Sequence, residues 1–91
     1  MEFEWDEAKN AENFQKHRVK FEEAAKAFAD ENAVELFDEL NSESEIRFQI
    51  IAFSPARLLF VSFTIREEKI RIISARKADA KQTKTYNEYK R

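Results

Sequence analysis

The chain contains no glycine. Loops that cradle phosphates or expose a strained nucleophile depend on glycine, so a Walker loop, a dinucleotide-binding fingerprint and a nucleophile elbow are all excluded. Whatever this domain does, it does with side chains carried on regular elements. Its 91 residues support one domain, spanning 1–91, with a single core. Nine phenylalanines and a 43% hydrophobic content are enough to fill that core, so disorder is not expected. No cysteine is present, which removes disulfides and thiolate zinc sites, and a single histidine removes a histidine-rich metal site. No metal and no cofactor are expected. The absence of a signal-type N-terminus and of any apolar run of about 18 residues predicts a soluble, cytoplasmic protein with no membrane contact.

Periodicity then sets the order of elements. Phe3-Glu4-Trp5 alternates and reads as a short opening strand or anchoring extension. Asp6 offers a cap for a helix over about Glu7–Lys16, with Ala8, Ala11 and Phe14 as its thin apolar stripe. Phe21, Ala24, Ala25 and Phe28 recur at i, i+3, i+4, i+7 in a second helix. Val34–Phe37 is a short strand candidate, followed by a polar connection over Asp38–Ser44. Ile46, Phe48 and Ile50 alternate with polar residues in a half-buried strand over Glu45–Phe53. Ser54-Pro55-Ala56-Arg57 forms a turn, and Leu58–Arg66 is apolar on both parities, hence central. A tight hairpin at Arg66–Lys69 leads into a last strand over Lys69–Arg76 and a closing helix over Ala78–Tyr89. The result is an α+β fold: two N-terminal helices packed on a twisted antiparallel sheet, closed by a C-terminal helix.

Charge is distributed unevenly along this order. Nine lysines and arginines against four acids lie in 66–91, a net of +5, whereas 1–65 holds seven bases and fourteen acids, a net of −7. Arg71 and Arg76 sit on or at the exit of the last strand, on opposite parities by spacing, with Arg76 sharing the parity of Ser74. Arginines on rigid backbone suit a phosphate clamp; ion pairs with acids such as Glu45 or Asp38 explain them equally. Arg47 either joins that cluster or pairs with Glu45 or Gln49. Lys9, Asn13 and His17, at i, i+4, i+8, form a file on the first helix that suits phosphate binding and proton transfer. An exposed helix face ending in a histidine favoured by the helix dipole has the same spacing. Lys77, Lys81 and Lys84 form a stripe that is either a solvated face or a guide for a polyanion. Tyr86 either stacks a base or closes the core beside Tyr89. Trp5 is expected to be a packing anchor in preference to a stacking platform.

Phe3-Glu4-Trp5-Asp6, Lys9, Asn13, Lys16-His17, Val19, Phe21-Glu22-Glu23-Ala24, Glu45 with Arg47, and Arg71-Ile72-Ile73-Ser74-Ala75-Arg76-Lys77-Ala78 followed by Tyr86 together resemble the BrnT family. The resemblance covers nearly the whole chain. It implies a RelE-like fold and a type II toxin that cleaves RNA without a metal, through attack by the RNA's own 2′-hydroxyl. It also implies neutralisation by a BrnA-type antitoxin whose ribbon-helix-helix part binds operator DNA, with toxin and antitoxin in a heterotetramer. Charge complementarity, an acidic antitoxin against the basic and aromatic surface expected on the sheet, suits inhibition by occupying the toxin's site. In that light His17, Arg76, Arg71 and Lys9 are the expected catalytic set, and Arg47, Lys77, Lys81 and Tyr86 the expected RNA-binding set. The chain departs from the family pattern at Arg18 and Ala52, where glycines are usual, at Gln82, where glutamate is common, and at Phe63, where histidine or tyrosine is common. The departures at Gln82 and Phe63 motivate a second reading, a catalytically degenerate module that binds antitoxin or RNA without cleavage. A plain RNA-binding domain is a third.

Overall fold

The computed structural model describes residues 1–39 and 45–89, so the expected polar connection lies outside the described residues from 40 to 44. The order is β1 (Phe3–Glu4), α1 (Glu7–His17), α2 (Phe21–Ala27), β2 (Val34–Asp38), β3 (Arg47–Phe53), β4 (Leu58–Arg66), β5 (Lys69–Lys77) and α3 (Ala80–Tyr89). The strands form one sheet in the order β1-β5-β4-β3-β2, which places β4 at the centre as its two-sided apolarity requires. β2 to β5 are antiparallel neighbours. β1, however, pairs with β5 in parallel through Phe3↔Ile70 and Glu4↔Arg71, so the sheet is mixed and not antiparallel throughout. The two helices between β1 and the meander return the chain to the far edge of the sheet, a crossover that short-range patterning does not reveal.

Local chemistry sets the boundaries. Asp6 Oδ1 accepts from the N–H groups of Ala8 at 2.8 Å and Lys9 at 3.2 Å, starting α1. Arg18, at φ 58°, ends it with a left-handed residue whose N–H returns to Phe14 O. Glu67 and Glu68, at φ 52° and 66°, make the β4–β5 hairpin with both central residues left-handed. That geometry ordinarily falls to Asn-Gly. A chain without glycine therefore carries the left-handed cost on an arginine and two adjacent glutamates, on the order of 1 kcal/mol at each position.

Two cores share the sheet. On one face, α1 and α2 cover Ile50, Leu59, Val61, Phe63, Ile72 and Ala75 together with Val19 and Phe21. Phe3, Phe28, Phe63 and Phe48 make successive ring contacts at 5.1, 5.0 and 5.6 Å across this layer. Phe63 is thus a core residue, 4% exposed. On the other face, α3 covers Ile51 and Phe60 with Ala78 and Tyr86. Gln82 accepts from Asp79 N through its side chain and donates its own N–H to Asp79 Oδ1, a reciprocal cap that starts α3.

Replacing Glu67 by Asn and Glu68 by Gly should relieve the hairpin and raise stability by about 1–2 kcal/mol. Urea unfolding is expected to give a higher midpoint at unchanged slope; a lower midpoint would contradict this account of the turn.

Candidate active site along the last strand

β1 accompanies β5 only as far as Arg71, so among the described residues no strand flanks the outer edge beyond it. α1 takes that place through Asn13, which is 7% exposed. Its Nδ2 donates to Ala75 O at 2.7 Å and to Val19 O at 2.9 Å, and its Oδ1 accepts from Ala75 N at 3.1 Å. A carboxamide carries the donor and acceptor of a peptide group, so this side chain does the work of the missing strand residue. Asn10, one turn earlier, accepts from Phe21 N at 2.8 Å and caps α2, whose own N-cap Lys20 makes no side-chain bond. It also donates to Glu22, and this bond is the main reason that the Glu22 carboxyl lies below its ordinary range.

α1 is therefore docked by amides. The expected stripe of Ala8, Ala11 and Phe14 is not its buried face, since Ala8 and Ala11 are exposed and Phe14 is half-buried. The file Lys9, Asn13, His17 instead lies along the side turned to β5. Lys9 lines a small cleft of about 100 Å³ with Asp6, Arg71, Ile72 and Ile73. With Lys9 beside Arg71 and Asn13 on Ala75, α1 runs alongside β5 in the same direction. Four further helical residues advance about 6 Å, or about two strand residues. His17 thus lies level with Arg76 and Lys77. Its imidazole is exposed and makes no hydrogen bond or ion pair among the described residues.

The parity of the arginines changes between sequence and structure. Ser62 pairs with Ser74 but Phe63 pairs with Ile72, so Ile73 is an extra residue on β5. This bulge resets the alternation. Ile72 and Ala75 both face the α1–α2 core, and Arg71, Ser74 and Arg76 all face the α3 side. Spacing had put the two arginines on opposite faces; one bulged isoleucine brings them to the same one.

Their surroundings still differ. Arg71 stands next to last in a row of cross-strand neighbours, Asp38, Arg47, Thr64, Arg71 and Glu4. It pairs with Glu4 at 3.0 Å, while Arg66 pairs with Glu45 at 2.8 Å. The hydrogen bond from Arg66, aided by the charges of Arg47 and Arg71, holds the Glu45 carboxyl below its ordinary range. The ion-pair alternative is realised for Arg71, with Glu4 as partner and not Glu45 or Asp38. Arg76 lies with its guanidinium 5.1 Å from the centre of the Phe60 ring and has no ion pair among the described residues. Lys77 and Lys81 are exposed near the same end.

Tyr86 is not an RNA-stacking residue. It is 3% exposed, and its hydroxyl donates to Asp30 Oδ2 at 2.8 Å, so no ring face remains for a base. Burial, with Asp30 beside it, pushes its hydroxyl up to about 12. Among the described residues no group of three or more His, Asp or Glu side chains is placed to hold a metal ion.

A profile of the family described as "Ribonuclease toxin, BrnT, of type II toxin-antitoxin system" matches residues 5–82. The chain belongs to the BrnT family. No individually curated protein matches it. The matched span takes in Lys9, Asn13, His17 and all of β5, and ends before Tyr86. As a BrnT toxin the protein has RNA as its target and an antitoxin as its partner. The two departures behind the non-catalytic reading have structural explanations: Phe63 packs in the core, and Gln82 caps α3.

Asn13→Ala would leave Val19 O and both backbone groups of Ala75 without partners, each worth about 1–3 kcal/mol when buried. Chemical denaturation followed by circular dichroism should register a loss of roughly 3 kcal/mol or more. A loss below about 1 kcal/mol would mean that the amide does not hold the edge.

Proposed function

We propose that this BrnT toxin cleaves RNA without a metal at the Arg76 end of β5, with His17 on one side of the strand edge and Arg76 on the other. The observation that carries this is the Asn13 amide bridge to Ala75, which fixes a histidine-bearing helix along a cationic strand. In this reaction the 2′-hydroxyl attacks the neighbouring phosphorus and the bond to the 5′ oxygen breaks, leaving a cyclic phosphate and a 5′-hydroxyl. His17 accepts the 2′-hydroxyl proton, water at the open edge protonates the departing oxygen, and the imidazolium gives its proton to the hydroxide so formed, which restores both. Arg76 from the α3 face, and Lys77 from the α1 face at the strand end, stabilise the charge that builds on the phosphorane.

Arg71 and Lys9 have a different role. About 13–16 Å of strand separates Arg71 from Arg76, too far for both to grip one phosphodiester. The cleft shared by Lys9 and Arg71 suits the next stretch of RNA backbone, with Arg47 deeper on the same face and Lys81 as an outlying guide for the polyanion. Arg71 must exchange Glu4 for phosphate, a modest cost because the pair is partly solvated.

The fold supporting this chemistry is RelE-like, with an antiparallel meander at its centre. A cytoplasmic location agrees with the type II class, and among the described residues no helix is long and apolar enough to cross a membrane. The partner is a BrnA-type ribbon-helix-helix antitoxin that occupies the β5 edge in a heterotetramer and alone touches operator DNA.

His17→Ala should lower RNA cleavage by about two to four orders of magnitude, the range for one general acid–base residue. The fold should be intact, because the imidazole is exposed. Undiminished cleavage by the folded variant would remove His17 from the mechanism.

A further inference from the structure

Seven bases lie within residues 1–65, a stretch whose net charge is −7, and four of them line one groove. The groove, about 460 Å³, runs between the end of α1, the outer side of α2 and the β3–β4 turn, and its cations are Arg18, Lys20, Lys26 and Arg57. Its two acids are already engaged. Glu23 takes Arg57 Nε at 3.0 Å and Nη2 at 2.8 Å, and Glu22 takes Asn10 Nδ2 at 3.0 Å. Arg57 is spent on that pair and on Arg18 O, at 2.7 Å, so it builds a wall of the groove. Arg18, Lys20 and Lys26 make no ion pair among the described residues, though the charges of Lys20 and Lys26 help to lower the Glu22 and Glu23 carboxyls. Arg18 and Lys20 stand 5.4 and 5.5 Å from the centre of the half-exposed Phe14 ring.

The groove is also placed with respect to the site. At about 100° per residue, His17 lies between Asn13, which faces β5, and Phe14, which lines the groove. The imidazole is thus the divide between the cationic strand edge and this second cationic surface. An aromatic ring among cations matches the chemistry of single-stranded nucleic acid, in which bases stack and phosphates pair.

We infer that the Phe14–Arg18–Lys20–Lys26 groove is a subsite for single-stranded RNA, holding the substrate segment that lies on the far side of His17 from β5. This rests on the reading of His17 as the point of cleavage. Phosphates meet Lys20 and Lys26, and a base stacks on the Arg18 guanidinium that lies over Phe14. The length of strand recognised then exceeds what the β5 edge alone spans.

The test uses Lys20→Gln/Lys26→Gln, whose side chains are exposed and leave the core untouched. Binding of fluorescent oligonucleotides made uncleavable by 2′-deoxy substitution is measured by anisotropy across a salt series. For a long single strand the variant should bind about tenfold more weakly, with a log–log salt slope shallower by about 1.4, the loss of two single-strand phosphate contacts. The difference from the wild type should vanish when the strand is cut to a dinucleotide. Unchanged affinity and slope, or an equal loss for the dinucleotide, would overturn the inference. So would retained RNA affinity with weakened antitoxin binding, which would make the groove a protein contact. If the wild type binds long strands through the groove yet cuts no RNA, the cleavage reading fails and the subsite stands.

Discussion

The arrangement depends on one side-chain amide. Asn13 closes the outer edge of β5 where β1 gives out, and the same carboxamide also holds Val19 O at the entry to α2. Three backbone groups in two segments are thereby satisfied by one residue that water barely reaches. Leaving such groups unpaired costs more than a typical hydrogen bond returns. This explains why α1, with almost no apolar face, still occupies a fixed position. The helix is oriented by hydrogen-bond geometry, which is directional, and not by burial, which is not.

The bulge at Ile73 complements that clamp. It keeps Ala75 facing the core, where the small side chain admits Asn13, and turns Arg76 to the same side as Arg71. Acids then differentiate the cations. Glu4 and Glu45 draw Arg71 and Arg66 into pairs, while Arg76 lies over the Phe60 ring with no ion pair among the described residues. The result is a gradient of available positive charge towards the end of β5, where the exposed histidine lies. On the function proposed above, an RNA backbone would meet paired, replaceable charges first and the Arg76 guanidinium at the end where cleavage is proposed.

Much of the fold was legible in the sequence because hydrophobic periodicity reports burial. β4 is central, as its two-sided apolarity predicted, and the Arg66–Lys69 hairpin and three helices fall close to their expected bounds. The parallel pairing of β1 was not legible, since two residues carry no periodicity and the pairing is set by a long-range crossover. The docking face of α1 was misassigned to alanines for the same physical reason: a buried asparagine with backbone partners looks polar in any hydropathy pattern. Nor does spacing alone reveal a bulge, so the parity of Arg71 and Arg76 came out inverted. The ambivalence over Tyr86 turned on a single partner, Asp30, 56 residues away. Family resemblance located the useful stretch of chain; which of its residues are held by other residues and which are open to a ligand required coordinates.

Hydrogen exchange at the Ala75 amide tests the central claim most directly, because this N–H points away from β4 to an edge that no strand flanks among the described residues. If the Asn13 amide holds the edge, Ala75 exchanges only through global unfolding, as slowly as the amides of central β4. Exchange at the rate of a fraying edge amide would mean that α1 is not clamped to β5, and the placement of His17 beside Arg76 would lose its physical basis.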